Sequence, residues 1–207
     1  MAMTALLYCR AISIEECANR VMQNERLTGS GGQRIEGPLL ITPKVFADNR
    51  GFFYESWNER SFQDALVESG VSEAEAKELH FRQDNHSSSS RAVLRGLHFQ
   101  LWPAAQGKLV RCSVGIIFDV VVDIRSQSPT FGSWAGILLT DKNPRQFWIP
   151  KGFAHGFITL SDKAHVLYKT TDFWDKACER TIRWDDHELN IDWQLNLLGA
   201  IKPNLSE

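Results

Sequence analysis

Hydrophobic and polar positions change their rhythm along this chain, and the change marks out its expected parts. Ile12 to Arg26 carries a helical spacing that predicts a short amphipathic helix, and Thr28-Gly29-Ser30-Gly31-Gly32 reads as a flexible linker. Residues 1–37 are expected to form an amino-terminal extension, with Met22 as an alternative start, and residues 38–207 the compact domain. From Leu39 onward the apolar runs shorten. Leu39–Ile41 and Gly51–Glu55 precede one helical stretch from Glu59 to about Glu78, broken at Gly70. Strand-like runs follow at Ala92–Phe99, Lys108–Ser113, Ile116–Ile124, Trp134–Leu139, Gln146–Ile149, Gly156–Leu160 and His165–Thr170. β-Branched and aromatic residues fill them, and Gly, Pro, Asp or Ser stand between them. Val120-Val121-Val122 reads as a segment buried on both faces, and the tail from Asp185 predicts a short helix and a packed apolar stretch, Ile191–Trp193. Short strands with frequent turns predict an all-β sandwich or barrel with a few peripheral helices. A βαβ pattern would need regularly interspersed helices, and no G-x-G-x-x-G run marks a dinucleotide site.

Composition narrows the function classes. The chain has 207 residues and 43% hydrophobic content, enough for one real core. Its net charge of -2 gives no polycationic surface, so nucleic acid is not an expected partner. No apolar run approaches the roughly 20 residues of a membrane span, and Met1–Cys9 lacks the basic flank of a signal peptide. Cys9, Cys17, Cys112 and Cys178 form no C-x-x-C pair; free thiols in a cytoplasmic protein are the simplest expectation.

The candidate chemistry lies on the strands. In Arg95-Gly96-Leu97-His98-Phe99-Gln100, alternation puts His98 with Gly96 and Gln100 on the face opposite Leu97 and Phe99. A histidine facing a barrel interior is a candidate general base, because its ordinary pKa of about 6.5 lies near working pH; the alternative is a core histidine satisfied by hydrogen bonds. Pro150-Lys151-Gly152-Phe153-Ala154-His155 is similar to the second metal-binding motif of cupins. The first such motif needs two histidines and a carboxylate, and this chain offers only His98-Phe99-Gln100, so a metal-free pocket is expected. Tyr168 points away from Leu167 and Lys169 and is a feasible proton donor if neighbouring charge lowers its pKa from about 10, or simply a packing residue. Arg50, Arg95, Lys108, Arg111 and Lys169 suit a small diphosphate or are ordinary surface charge. Gln83-Asp84-Asn85-His86 and the four serines after it read as a polar loop able to bond a sugar, and Phe173-Trp174 as a surface for stacking a flat base.

These motifs together resemble the dTDP-4-dehydrorhamnose 3,5-epimerase family over residues 39–207. The matching runs include Pro43-Lys44-Val45-Phe46, Arg50-Gly51-Phe52-Phe53, Gln83 to Ser87, Leu94 to Gln100, Gln106 to Arg111, Phe118 to Arg125, Ser128 to Gly132, Trp148 to Gly156, Tyr168-Lys169 and Ile182 to Asp186. The resemblance implies a cupin-like jelly roll, a homodimer, no metal or organic cofactor, and a dTDP-linked 4-keto-6-deoxy sugar inverted at C3 and C5. It implies that His98 is the general base and Tyr168 the opposing acid, both catalytic. It places His155 and Lys108 near the sugar ketone and assigns substrate binding to Arg50, Glu55, Gln83, Asn85, Arg95 and Trp174. The family orients its base with an aspartate in a late Leu-Ser-x-Lys-Asp motif; the sequence reaches Leu205-Ser206-Glu207, leaving Asp119 and Asp123 as candidate substitutes. Alternative readings are a mono-epimerase of a related 4-ketosugar, a non-catalytic nucleotide-sugar-binding homologue, and a metal-dependent cupin enzyme.

Overall fold

The computed structural model describes residues 22–205. Its strands in chain order are β1 (Met22–Thr28), β2 (Arg34–Pro43), β3 (Phe46–Asp48), β4 (Gly51–Phe53), β5 (Gln83–Ser90), β6 (Val93–Gln100), β7 (Lys108–Val114), β8 (Ile116–Asp123), β9 (Trp134–Thr140), β10 (Gln146–Ile149), β11 (Phe153–Thr159), β12 (Lys163–Thr170), β13 (Glu179–Thr181) and β14 (Asn204–Leu205). Two helices, α1 (Glu59–Glu68) and α2 (Glu73–Lys77), sit between β4 and β5. A first sheet runs β1-β2-β10-β7-β12-β5 and a second β13-β6-β11-β8-β9, with β14 also laid along β6. The architecture is mostly β with a few peripheral helices, as expected from the short strands.

Three apolar clusters hold the layers. Val110, Ile117, Val121, Leu139, Phe147, Phe153 and Val166 fill the space between the two sheets. The outer face of the second sheet is covered by the tail: Leu94, Leu97, Val120, Val122, Ala154 and Ile158 meet Trp193 and Leu198. Both faces of β8 are thus dry, and Val120, Val121 and Val122 are each 0% exposed, as their run predicts. The outer face of the first sheet is covered by α1 and α2, where Phe62, Ala65, Leu66 and Ala76 pack on Leu39, Ile41, Leu109 and Trp148. The single helical stretch expected over 59–78 is two helices because each carries its own start signal. Asn58 accepts a hydrogen bond from the Ser61 N–H at the first, and Ser72 with Glu75 forms a capping box at the second.

Two expectations are corrected. Residues 22–26 are not helical: β1 pairs with β2 from Met22↔Pro43 to Thr28↔Arg34. The glycine-rich run at 28–32 is the tight connection of this hairpin, so the boundary expected at 37/38 falls inside β2. Side chains tie the hairpin to the helices, with Asn24 donating to the Ala65 carbonyl at 3.3 Å and Arg26 to that of Ser69. Residues 12–21 lie outside those described. The second correction concerns Gln83–Ser90, which is edge strand β5 rather than a loop. It pairs with β12 throughout, from Gln83↔Thr170 to Ser90↔Lys163. Serine is a turn-former by habit, but here every second residue faces the space between the sheets.

The feature that builds the site is a bulge in β6. On β11, His155 pairs with His98, but two residues later Phe157 pairs with Arg95, three residues back. The extra residue falls at Gly96-Leu97, so strict alternation is broken. Gly96 has φ +131°, and a Cβ on it would lie 2.5 Å from the Gly156 Cα and 2.9 Å from the His155 carbonyl oxygen. Gly96→Ala is therefore expected to cost about 3 kcal/mol or more through strain and backbone overlap. Gly132 has φ +78°, and a methyl added there would meet nothing within 4 Å. Gly132→Ala should therefore cost only about 1 kcal/mol. Urea unfolding of the two variants checks this, and equal losses would contradict it.

Candidate active site

In an uninterrupted strand, residues three apart face opposite ways. The bulge puts both Arg95 and His98 on the inner face of the second sheet, where they line a cavity of about 460 Å³. The same sheet supplies His155 and Phe157 from β11 and Glu179 from β13. The first sheet supplies the facing wall: Gln83, Asn85 and Ser87 from β5, Lys108 from β7 and Tyr168 from β12. Gln106 and Trp174 come from the loops at the rim. His98 and Tyr168 thus stand on opposing sheets and look into one space.

The cavity gathers cations with few counter-charges. Lys108 is partly buried and donates through Nζ to the His98 carbonyl at 3.3 Å, linking the two sheets. Its ammonium is pushed down from 10.5 to about 8, chiefly by burial, while Asp119 and Glu179 hold it up. Burial and then the Lys108 charge depress the His98 pKa below its ordinary 6.5; Glu179 pulls it up, and His155 and Arg95 push it down again. Burial raises the Tyr168 phenol above 10, with Arg95 working against that shift and Glu179 with it. The site therefore favours a neutral imidazole, a protonated phenol and a cation that is ready to lose its proton.

Neighbouring groups fix most of these side chains. The Arg95 Nε donates to Ser89 Oγ at 3.0 Å, which leaves its terminal nitrogens for the cavity. His155 Nε2 lies 2.8 Å from Asp119 Oδ1, both buried, and the second Asp119 oxygen is buried without a partner among the described residues. Asp119, one of two candidates to orient His98, is bonded to another ring: on β8 it stands diagonally across from His155 and is committed to that imidazole. Asp123 is no substitute either. Burial works against its charge, but hydrogen bonds from Arg125, Ser128 and Thr130 hold its carboxyl down at about 2. Among the described residues no hydrogen bond reaches the His98 ring. Nor do three His, Cys, Asp or Glu side chains gather there as metal ligands would.

Gln83, Asn85, Arg95, His98, Lys108, His155, Tyr168 and Trp174, all expected in a site, line this one cavity. Arg50 and Glu55 do not. Arg50 sits at the β3–β4 turn, 85% exposed in its side chain and paired with Asp48, while Glu55 accepts from Asn58 beside α1. Within one chain, neither lines the cavity. Arg111 and Lys169 fall on the outer face of the first sheet, Lys169 donating to Asp84 at 2.7 Å. Glu179 was missed by sequence reading; its only signal was its place just before the Ile182-Arg183-Trp184 run.

Comparisons with known proteins identify the family. A family model described as dTDP-4-dehydrorhamnose 3,5-epimerase matches residues 32–207. The dTDP-4-dehydrorhamnose 3,5-epimerase of Shigella flexneri is 55% identical over 159 residues, which cover 77% of this chain and 83% of that one. The dTDP-6-deoxy-D-glucose-3,5-epimerase of Legionella pneumophila, solved with dTDP-4-keto-L-rhamnose, superposes with a TM-score of 0.75 at 42% identity, covering 89% of this chain and 88% of that one. A 3'-monoepimerase from Streptomyces bikiniensis, solved with dTDP-quinovose, gives a TM-score of 0.72 at 30% identity, covering 84% and 81%. By the family model and by these identities, the chain belongs to the dTDP-4-dehydrorhamnose 3,5-epimerase family.

Proposed function

We propose that this cavity epimerises dTDP-4-dehydro-6-deoxy-D-glucose at C3 and C5 to give dTDP-4-dehydro-L-rhamnose. The observation that carries the reading is that His98 and Tyr168 line one cavity from opposing sheets, with Lys108 lining it too and bonded to the His98 carbonyl. The C4 ketone acidifies the hydrogens on C3 and C5. Neutral His98 takes one of them, and the C–H electron pair moves into the ring to give an enolate with its charge on O4. The Lys108 ammonium stabilises that oxygen, with His155 beside it. Tyr168 then delivers its phenolic proton to the same carbon from the other face, and the centre is inverted. The imidazolium and phenolate exchange protons with solvent before the next round, so turnover is proton-neutral.

Binding groups follow the same division. Arg95 suits the diphosphate through its free guanidinium nitrogens. Trp174 offers an exposed ring to the thymine, and Gln83 and Asn85 stand near it. We read the protein as a cytoplasmic homodimer with a jelly-roll, cupin-like fold. The support for a second copy is the β3–β4 hairpin, where Phe46, Phe52 and Phe53 are 55%, 68% and 66% exposed. Arg50 and Glu55, carried on that arm, serve substrate binding in the partner's cavity on this reading. Among the described residues no helix is long and apolar enough to cross a membrane. Inversion at one carbon only is the second reading, favoured by the likeness to the 3'-monoepimerase; the higher identity to the double epimerases puts it second.

Solvent exchange separates these readings. In D2O the wild type is expected to place deuterium at both C3 and C5 of the product, read by NMR. His98→Ala should lower exchange at both positions by about 10³-fold or more. Tyr168→Phe should impair completion of the inversion more than initial proton removal. Label at one carbon only would favour the mono-epimerase, and wild-type exchange in both variants would overturn the site.

The pKa directions set the pH profile. A depressed His98 pKa keeps the base neutral to lower pH, so the acid limb of kcat/KM should fall below pH 6.5. A cationic Lys108 loses its proton as pH rises, so the basic limb should fall near pH 8. Lys108→Arg, whose guanidinium does not deprotonate, should move that basic limb upward. A basic limb unchanged in this variant would remove Lys108 from the role.

A further inference from the structure

Trp174 lies on the loop between β12 and β13, and its side chain is about half exposed, so packing of the ring does little to fix it. Its backbone is held instead. Gln100, the last residue of β6, is buried, and its amide makes three hydrogen bonds. The Nε2 donates to the carbonyl oxygens of Ala104 at 2.6 Å and Phe173 at 3.1 Å, and the Oε1 accepts from the Asp175 N–H at 2.7 Å. Two of these bonds bracket Trp174 on either side, and the third ties in the loop between β6 and β7. That second loop is joined to the first again. Gln106 donates to the Asp172 carbonyl at 2.8 Å, and the Gly107 N–H donates to Thr171 Oγ1 at 2.8 Å. On the cavity side, the Trp174 N–H donates to Gln83 Oε1 at 3.0 Å.

We propose that Gln100 is a positioning residue for the nucleotide: its amide latches the two rim loops together and holds Trp174 where a base can stack. The proposal rests on the reading of Trp174 as the base-stacking aromatic. The chemistry is specific to a primary amide. Two carbonyl oxygens need two N–H donors, and one backbone N–H needs an acceptor, which glutamine supplies on one side chain. Methionine fills the same volume with no such bonds, and a glutamate carboxylate would face two carbonyl oxygens. Without the latch, the loop must be ordered each time nucleotide binds, and that ordering is taken from affinity. Gln100 is also only two residues from His98, so a rival role is to fix the catalytic ring. The two roles differ in what they change.

The test is a double-mutant cycle on dTDP binding and on turnover, with Gln100→Met, Trp174→Ala and the pair. Trp174→Ala should weaken dTDP about tenfold, the scale of one base–aromatic stack. Gln100→Met should weaken it about fivefold, raise KM by a similar factor and leave kcat within about twofold. The double variant should bind no more than about twofold weaker than Trp174→Ala, because both changes remove the same contact. If Trp174→Ala leaves dTDP affinity unchanged, the stacking reading falls and the latch with it. If Trp174→Ala weakens binding but Gln100→Met does not, or the two effects add, the latch alone is overturned. A fall in kcat at unchanged KM would assign Gln100 to His98 instead. Near-UV circular dichroism establishes that folded proteins are compared. Gln100→Glu replaces Gln100→Met if the latter does not fold, and failure of both to fold overturns the proposal by assigning Gln100 to stability.

Discussion

The close approach of β6 to β11 at Gly96 and Gly156 is the constraint from which the rest of the site follows. A side chain at residue 96 would overlap the neighbouring backbone, with its Cβ 2.5 Å from the Gly156 Cα. The absence of one lets β6 take an extra residue there and return to register by His98. Leu94 and Leu97 can then both enter the outer apolar cluster, while Arg95 and His98 both face inward. A regular strand could satisfy only one member of each pair. The bulge therefore resolves a conflict between covering the outer face of the sheet with the carboxy-terminal segment and equipping its inner face with charge. Bulges recur beside active sites because they re-aim a side chain without ending the pairing.

The second principle is electrostatic. The space between the sheets holds both the dry cluster around Val121 and Phe147 and the polar cavity, with Phe157 and Tyr168 at their boundary. Lys108 and Arg95 are brought to that boundary without a salt bridge to any of the described residues. The acidic groups nearby are Glu179, which lines the cavity, and Asp119, which is bound to His155. Such an arrangement is costly in a protein interior unless an anion completes it. A nucleotide diphosphate and a developing enolate are both anions, and the proposed reaction would bring both to this positive potential. Burial first, and then the same field, lowers the His98 pKa and favours a neutral ring able to act as a base.

Much of this was legible in the sequence, for a physical reason. Residue type and local spacing mark His98, Tyr168, Lys108 and Trp174 as candidates, the family resemblance assigns their roles, and the fold brings the four to one cavity, while the triplet Val120–Val122 shows its burial in its run alone. Register does not show in the same way. The alternation rule put Gly96 on the His98 face, yet the bulge displaces it, because pairing offsets are set by tertiary contacts. The Gly-rich run at 28–32 read as a linker since a hairpin turn uses the same residues. The serine run of β5 concealed an edge strand that only its partner β12 stabilises. Glu179 gives no signal in the sequence because only the pairing of β13 with β6 brings it to the cavity, and the partners of the Gln100 amide come from loops distant in the chain. Arg50 and Glu55 illustrate the opposite limit: motif alone put them with the site, and the fold of one chain keeps them apart from it.

The bulge at Gly96 turns His98 into the cavity that Tyr168 lines from the opposite sheet, and the most direct measurement of the proposed mechanism is a crystal structure of the protein with a dTDP-linked hexose bound. The hexose is expected between the two sheets, the imidazole against one face and the phenol against the other, with the Lys108 ammonium beside O4. A sugar seated outside this cavity, or both groups meeting it on the same face, would contradict this mechanism.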